Sequence, residues 1–208
     1  MSELIFYTNP MSRGRIIRWM LEEVGAPYHT EYLSYGGEMK SAAYKAINPM
    51  GKVPAIRHGD TIVTECAAIC TYLADAFPQA NLAPPTTDRG NYYRWLFFAA
   101  GPLEMSSTTK AMGFEITADK ERMAGFGAHR DVLDTLEYAL SANRFIAGDQ
   151  FTAADVYVGS QIIWGLQFGS LERRGRFMEY LKDLHERPAY QRATKIDTDA
   201  AKAHRAAI

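Results

Sequence analysis

Cysteine is scarce in this 208-residue chain: there are two, Cys66 and Cys70. Four residues apart in a helical pattern, they share a face but seldom reach disulfide geometry, so a disulfide scaffold is excluded. No C-x-x-C pair is present, which argues against dithiol redox chemistry. Charge of one sign is lacking as well, with 23 basic and 24 acidic side chains and a formal net charge of −1. The first 80 residues carry 7 basic and 8 acidic groups, so neither half is polarised. A duplex-binding protein needs a basic surface to displace counterions, and nucleic acid is therefore not an expected partner. Long hydrophobic runs are missing too. Trp95 to Gly101 falls far below the ~20 residues of a spanning helix, and Leu4-Ile5-Phe6-Tyr7 is too short for a signal-peptide core. The five histidines show no ligand spacing and no Gly-rich phosphate loop occurs, so neither a metal nor a nucleotide is expected. These features describe a reduced, cytoplasmic protein without a membrane partner.

What is present is ordinary globular usage, 47% hydrophobic and 23% charged, at a length that suits two domains. The first 80 residues alternate strand and helix signals. Leu4 to Tyr7 reads as a buried strand, and Ile16, Ile17, Met20, Leu21 and Val24 fall at helical spacing, closed by Gly25 and Pro27. Tyr28 to Leu33 is a second strand and Ser41 to Ala46 a short helix. Val53 to Ile56 and Thr61 to Val63 flank a turn at His58-Gly59-Asp60, and Cys66 to Phe77 is a helix stopped by Pro78. The order β-α-β-α-β-β-α makes the first strand pair parallel and the last antiparallel. Residues 80–88 form a Pro-rich connector. Beyond it Tyr92–Met112, Ala118–Ser141, Ala153–Phe168 and Arg174–Glu186 read as helices. An α/β domain over 1–80 and an all-helical domain over 88–208 are expected.

Three motifs carry chemistry. In Asn48-Pro49-Met50-Gly51-Lys52-Val53-Pro54, proline stands at a strand start. A cis Val53-Pro54 bond would turn the Val53 backbone outward to pair with an extended peptide; a plain turn is the alternative. Thr64-Glu65-Cys66 sits where a strand hands over to a helix. The N–H groups of the first turn attract a carboxylate and Glu65 suits an ammonium, which together grip an α-amino acid end. A helix start capped by Thr64 is the competing account. Phe151-Thr152-Ala153-Ala154-Asp155-Val156 reads as a structural capping box with a hydrophobic staple.

Taken in this order and at this length, the motifs resemble a cytosolic glutathione transferase of bacterial type over nearly the whole chain. The resemblance implies a thioredoxin-like N-terminal domain followed by an all-α domain, glutathione as co-substrate, a hydrophobic electrophile as second substrate, a role in detoxification, and a homodimer. It assigns glutathione contacts to Val53 before Pro54, to Glu65 with Cys66, and to Lys52. Lys40 and Met39 are further candidates. Cys66 replaces the usual serine, and a thiol is the weaker donor. For the residue that activates the thiol the chain offers Ser12, Tyr7 and Asn9. Ser12 at a helix entry beside Arg13 and Arg15 is taken first, with an N-cap as its alternative role and core packing as that of Tyr7. Met11, Met105 and Met112, with Phe98 and Phe114, are candidates for the electrophile pocket, although such residues at helical spacing more often pack a core. Disulfide or peroxide reduction, and a non-catalytic interaction role on the same fold, are the alternative functions.

Overall fold

The computed structural model describes residues 2–206, which fall into two compact units: residues up to Asn81 together with Glu186 onward, and Leu82–His185. In the first unit, strands β1 (Leu4–Thr8), β2 (His29–Tyr32), β3 (Ala55–His58) and β4 (Thr61–Thr64) form one sheet in the order β2-β1-β3-β4. β1 pairs parallel with β2, through the crossover helix α1 (Gly14–Val24), and antiparallel with β3; β3 and β4 are antiparallel across Gly59. The β-α-β-α-β-β-α order expected from sequence is present, with α2 (Ala42–Lys45) and α3 (Cys66–Ala76) completing it. α1 ends as its sequence dictates: Gly25 adopts a left-handed φ of 70° and its N–H bonds the Leu21 carbonyl.

α1 buries Ile16, Ile17, Trp19, Met20 and Leu21, and among these apolar residues also Arg18. The Arg18 guanidinium pairs with Asp197 at 3.2 Å and donates to the Tyr28 and Tyr32 hydroxyls and to Thr30 Oγ1. Burial opposes that charge, but Asp197 and the Tyr28 hydroxyl outweigh it and raise the guanidinium above its ordinary value. Asp197 lies on the last helix, α9 (Pro188–Ala206). Glu23 and Glu22 on α1 add ion pairs with Arg187 and Arg192. The terminal helix thus packs on α1 within the sheet-bearing unit, whereas the sequence-based division had grouped it with the helical domain. Its attachment runs through long-range pairs that no local signal announces.

The second unit is helical: α4 (Gly90–Phe98), α5 (Glu104–Ala111), α6 (His129–Ala142), α7 (Ala153–Phe168) and α8 (Gly175–His185). Two expectations change here. The helix expected over Tyr92–Met112 is interrupted at Ala99–Leu103 by a wide π turn containing Pro102, which has no N–H for the α ladder. The helix expected from Ala118 begins only at His129; residues 112–128 form turns, with Gly113 and Gly127 at positive φ. The capping box is as expected. Asp155 accepts from the Thr152 N–H and Oγ1, the Ile146 N–H and the Tyr180 hydroxyl, all buried, and desolvation pushes its carboxyl up to about 6.

Candidate functional site

The strand register assembles the candidate residues at one end of the sheet. Thr8 pairs with Tyr32, Tyr7 with Ala55, and Ala55 with Thr64. The segments that follow Thr8, precede Ala55 and follow Thr64 therefore emerge side by side, carrying Asn9 to Ser12, Val53-Pro54 and Glu65-Cys66. The Leu33 N–H donates to the Thr8 carbonyl, so the loop after β2 leaves from the same end.

Val53-Pro54 is cis, as expected. The Lys52 carbonyl before it is fixed by the Tyr44 hydroxyl at 2.7 Å and Asn48 Nδ2 at 2.8 Å. Burial pushes the Tyr44 phenol up to about 12, so it remains a donor. The N–H and C=O of Val53 carry no hydrogen bond to the described chain, while its side chain packs with Tyr7 against Met39, Tyr44 and Ala55. An extended peptide finds both backbone groups available there.

Glu65 is the strained residue of the site. It occupies the N-cap position of α3 with φ 68° and ψ 124°, and its side chain makes no capping bond. Thr64 is therefore not the cap. A non-glycine residue held in this region costs about 1–3 kcal/mol. Its carboxylate is exposed and carries no ion pair among the described residues, beside an N-terminus whose amides favour a second, negative group. Cys66 is buried with Sγ 3.9 Å from the Arg13 carbonyl, which ties the start of α3 to the start of α1. Burial raises the Cys70 thiol well above its ordinary value and leaves it inert.

Around Ser12 the polar atoms are engaged. Ser12 Oγ donates to the Asn9 carbonyl at 2.7 Å and accepts the Gly14 N–H at 2.9 Å. Asn9 donates to the Leu33 carbonyl and accepts the Met11 N–H, so its side chain holds the loop. Gly14 is required: a Cβ there would lie 1.9 Å from Thr8 Oγ1. Tyr7 is half-buried with its ring centroid 5.8 Å from that of Tyr44. Tyr35, which sequence reasoning passed over, donates to the Met11 carbonyl and lies against Ser12; burial raises its phenol. A lone aromatic in a Gly-Gly loop gave no local signal of this neighbour.

Met39 is a buried core residue rather than a ligand contact. Lys40 Nζ bonds the Met50 and Gly51 carbonyls, so its amine is engaged in holding the loop that bears Lys52. Lys52 is exposed. Arg15 donates to Thr198. Met11 in the first unit and Met105 and Met112 in the second, the candidates for the electrophile pocket, are each about half exposed or more, so the alternative of core packing does not hold for them. Among the described residues no helix is long and apolar enough to cross a membrane, and no group of three acidic, His or Cys side chains is placed to hold a metal.

A four-stranded thioredoxin-like sheet, with open backbone groups and an acidic helix start at one end, is followed along the chain by a helical unit. Residues 11–76 match the glutathione S-transferase N-terminal domain and residues 93–173 the glutathione S-transferase C-terminal domain. Glutathione S-transferase GstA of Escherichia coli O157:H7 is 32% identical over 74% of this chain and 78% of its own. The chain belongs to the glutathione S-transferase family. The disulfide-bond oxidoreductase YghU of Escherichia coli K12 is 27% identical over 93% of this chain and 75% of its own. Among solved structures, the theta class glutathione S-transferase of Xanthomonas axonopodis pv. citri with glutathione bound matches with a TM-score of 0.75 and 25% identity, over 93% of this chain and 98% of its own.

Proposed function

We propose that the protein conjugates the thiolate of glutathione to an apolar electrophile. The observation that carries this reading is Glu65, whose strained backbone holds an unpaired carboxylate at the start of α3. A strained residue with no capping role fits a ligand grip rather than a structural one. On this reading Glu65 receives the γ-glutamyl ammonium, and the first turn of α3 with Cys66 receives the adjoining carboxylate. The backbone of Val53 pairs with the cysteinyl residue and Lys52 meets the glycine carboxylate. Pro54 and Lys40 shape the two loops.

Ser12 is the proposed thiol-activating residue. Its hydroxyl faces the Asn9 carbonyl, which also accepts the Ser12 N–H at 3.0 Å. That carbonyl keeps a donor when the hydroxyl turns to a sulfur, so the change of partner costs little. Tyr7 is the alternative, and its packing against Tyr44 disfavours it. Met11, Met105 and Met112 are the proposed contacts of the electrophile. A cytoplasmic homodimer with a detoxifying role is part of the same proposal.

The similarity to a disulfide-bond oxidoreductase favours glutathione-dependent disulfide reduction as the second reading. Calorimetric titration with glutathione, followed by assay with 1-chloro-2,4-dinitrobenzene and with 2-hydroxyethyl disulfide, separates the outcomes. Binding with conjugation supports the proposal. Binding with disulfide reduction alone supports the second reading. No heat at millimolar glutathione refutes both.

A further inference from the structure

The loop after β2 is tied down on both sides of Leu33. The Leu33 N–H donates to the Thr8 carbonyl at 2.8 Å, and the Leu33 carbonyl accepts Asn9 Nδ2 at 2.9 Å. Ser34 closes the loop on Glu38, its N–H donating to Glu38 Oε2 at 2.8 Å. Gly36 turns the chain between them at φ 77°, where a Cβ is poorly tolerated. Tyr35 is thereby brought beside Met11 and Ser12, which follow β1. Its hydroxyl donates to the Met11 carbonyl at 3.3 Å, longer than the ~2.7–2.8 Å usual between oxygens. The same hydroxyl meets the Ser12 side chain, with the Arg13 cation close by. Burial raises the phenol above its ordinary value, with Ser12 and Arg13 acting the other way, so it is a protonated donor near pH 7. Tyr35 is 57% exposed, and one long bond to a carbonyl gives it little part in holding the fold.

A serine hydroxyl has one proton to donate and two lone pairs to offer. In Ser12 the proton goes to the Asn9 carbonyl and one lone pair takes the Gly14 N–H, which leaves the second lone pair for the neighbouring phenol. We propose that Tyr35 is a positioning residue for thiol activation: when the Ser12 hydroxyl turns to the glutathione sulfur, the Tyr35 hydroxyl leaves the Met11 carbonyl and donates to Ser12 Oγ. This role rests on the reading of Ser12 as the thiol-activating residue. With both lone pairs filled, by Gly14 and by Tyr35, the Ser12 oxygen is fixed and its one proton is left for the sulfur. A hydroxyl that accepts while it donates is also the stronger donor, because each hydrogen bond polarises the next. Arg13 beside the phenol acts in the same direction. The thiol proton passes to solvent, both hydroxyls keep theirs, and the negative charge stays on sulfur. The exchange costs little, since the bond to Met11 that is given up is long and Met11 lies at the surface.

The test is a pH titration of glutathione bound to the full chain, read by thiolate absorbance, in the wild type, Tyr35→Phe, Ser12→Ala and the double variant. Loss of one neutral hydrogen bond should raise the pKa of the bound thiol by about half a unit in Tyr35→Phe. Turnover of 1-chloro-2,4-dinitrobenzene at saturating glutathione should fall about 3-fold below that pKa and recover above it. Where the thiol is fully protonated, calorimetric affinity for glutathione should change less than about 2-fold, since the contact favours the thiolate. In the Ser12→Ala background the effect of Tyr35→Phe should vanish, because its route to the sulfur is gone. An unchanged titration in Tyr35→Phe overturns the inference. So does a shift that survives in Ser12→Ala, which would put the phenol on the sulfur itself. A loss of affinity for the protonated thiol without a shift also overturns it, making Tyr35 a contact of the peptide. Failure of the wild type to bind glutathione refutes the reading of the site and this role with it, a result distinct from the other three.

Discussion

Replacing Ser12 by alanine separates the loop contacts its hydroxyl makes in the structure from the thiol-activating role proposed for it. In the free protein Ser12 Oγ bridges the Asn9 carbonyl and the Gly14 N–H. Alanine leaves that N–H, in the first turn of α1, without its acceptor, while the Asn9 carbonyl keeps the Ser12 N–H. The loss is that of one helix cap, about 1–2 kcal/mol. At about 2–4 °C per kcal/mol for a chain of this size, Tm should fall by about 2–8 °C. If the hydroxyl also donates to the bound sulfur, it favours thiolate over thiol, and each pKa unit of that preference is about 1.4 kcal/mol. The bound thiol should then titrate about one unit higher in Ser12→Ala, while glutathione affinity near neutral pH stays within a few-fold. Thiolate absorbance near 240 nm reads the titration directly, and Tyr7→Phe is the matched control. A lowered Tm with an unchanged titration would show the hydroxyl to be only a cap. A shift in Tyr7→Phe alone would move thiol activation to Tyr7.

Glu65→Gln should weaken glutathione binding about 10–150-fold by calorimetry, because the ammonium loses its counter-charge. Glu65→Gly should lose affinity while Tm rises, since glycine tolerates φ 68° without strain. Cys66→Ser should bind glutathione equally or slightly more tightly, as a hydroxyl is the better donor. Asp155 makes stability depend on pH. Its carboxyl lies at about 6 in the folded chain and about 3.9 when unfolded, so the native state takes up the proton first as pH falls. Between pH 7 and pH 5 the wild type should therefore gain about 1.4 kcal/mol relative to Asp155→Asn in urea unfolding; a gap that narrows instead refutes the assignment.

Much of the site was legible because its determinants are local. Val53-Pro54 and Glu65-Cys66 stand at strand boundaries set by the hydrophobic pattern, and the Thr152–Asp155 box is complete within four residues. Other features depended on partners far along the chain. Nothing near Met39 or Lys40 told a core methionine and an engaged amine from ligand contacts, because Tyr44, Met50 and Gly51 decide both. The break in the long helix has a local cause in Pro102, which follows the apolar run from Trp95 to Ala100 and cannot donate to the α ladder. The late start of α6 reflects Gly125 and Gly127 outweighing a weak helical period.

The sequence by itself determined the strand and helix order, the parallel first pair and antiparallel last pair, and the family to which the chain belongs. Each follows from periodicity, turn residues and motif order along the chain. Only the tertiary structure decided that the three motif segments meet at one sheet end, that the Ser12 hydroxyl rests on Asn9, and that Arg18 binds α9 through Asp197. These depend on register and on pairs up to 179 residues apart. Such pairs form only once loop-closure entropy has been overcome by burial, so no local propensity records them.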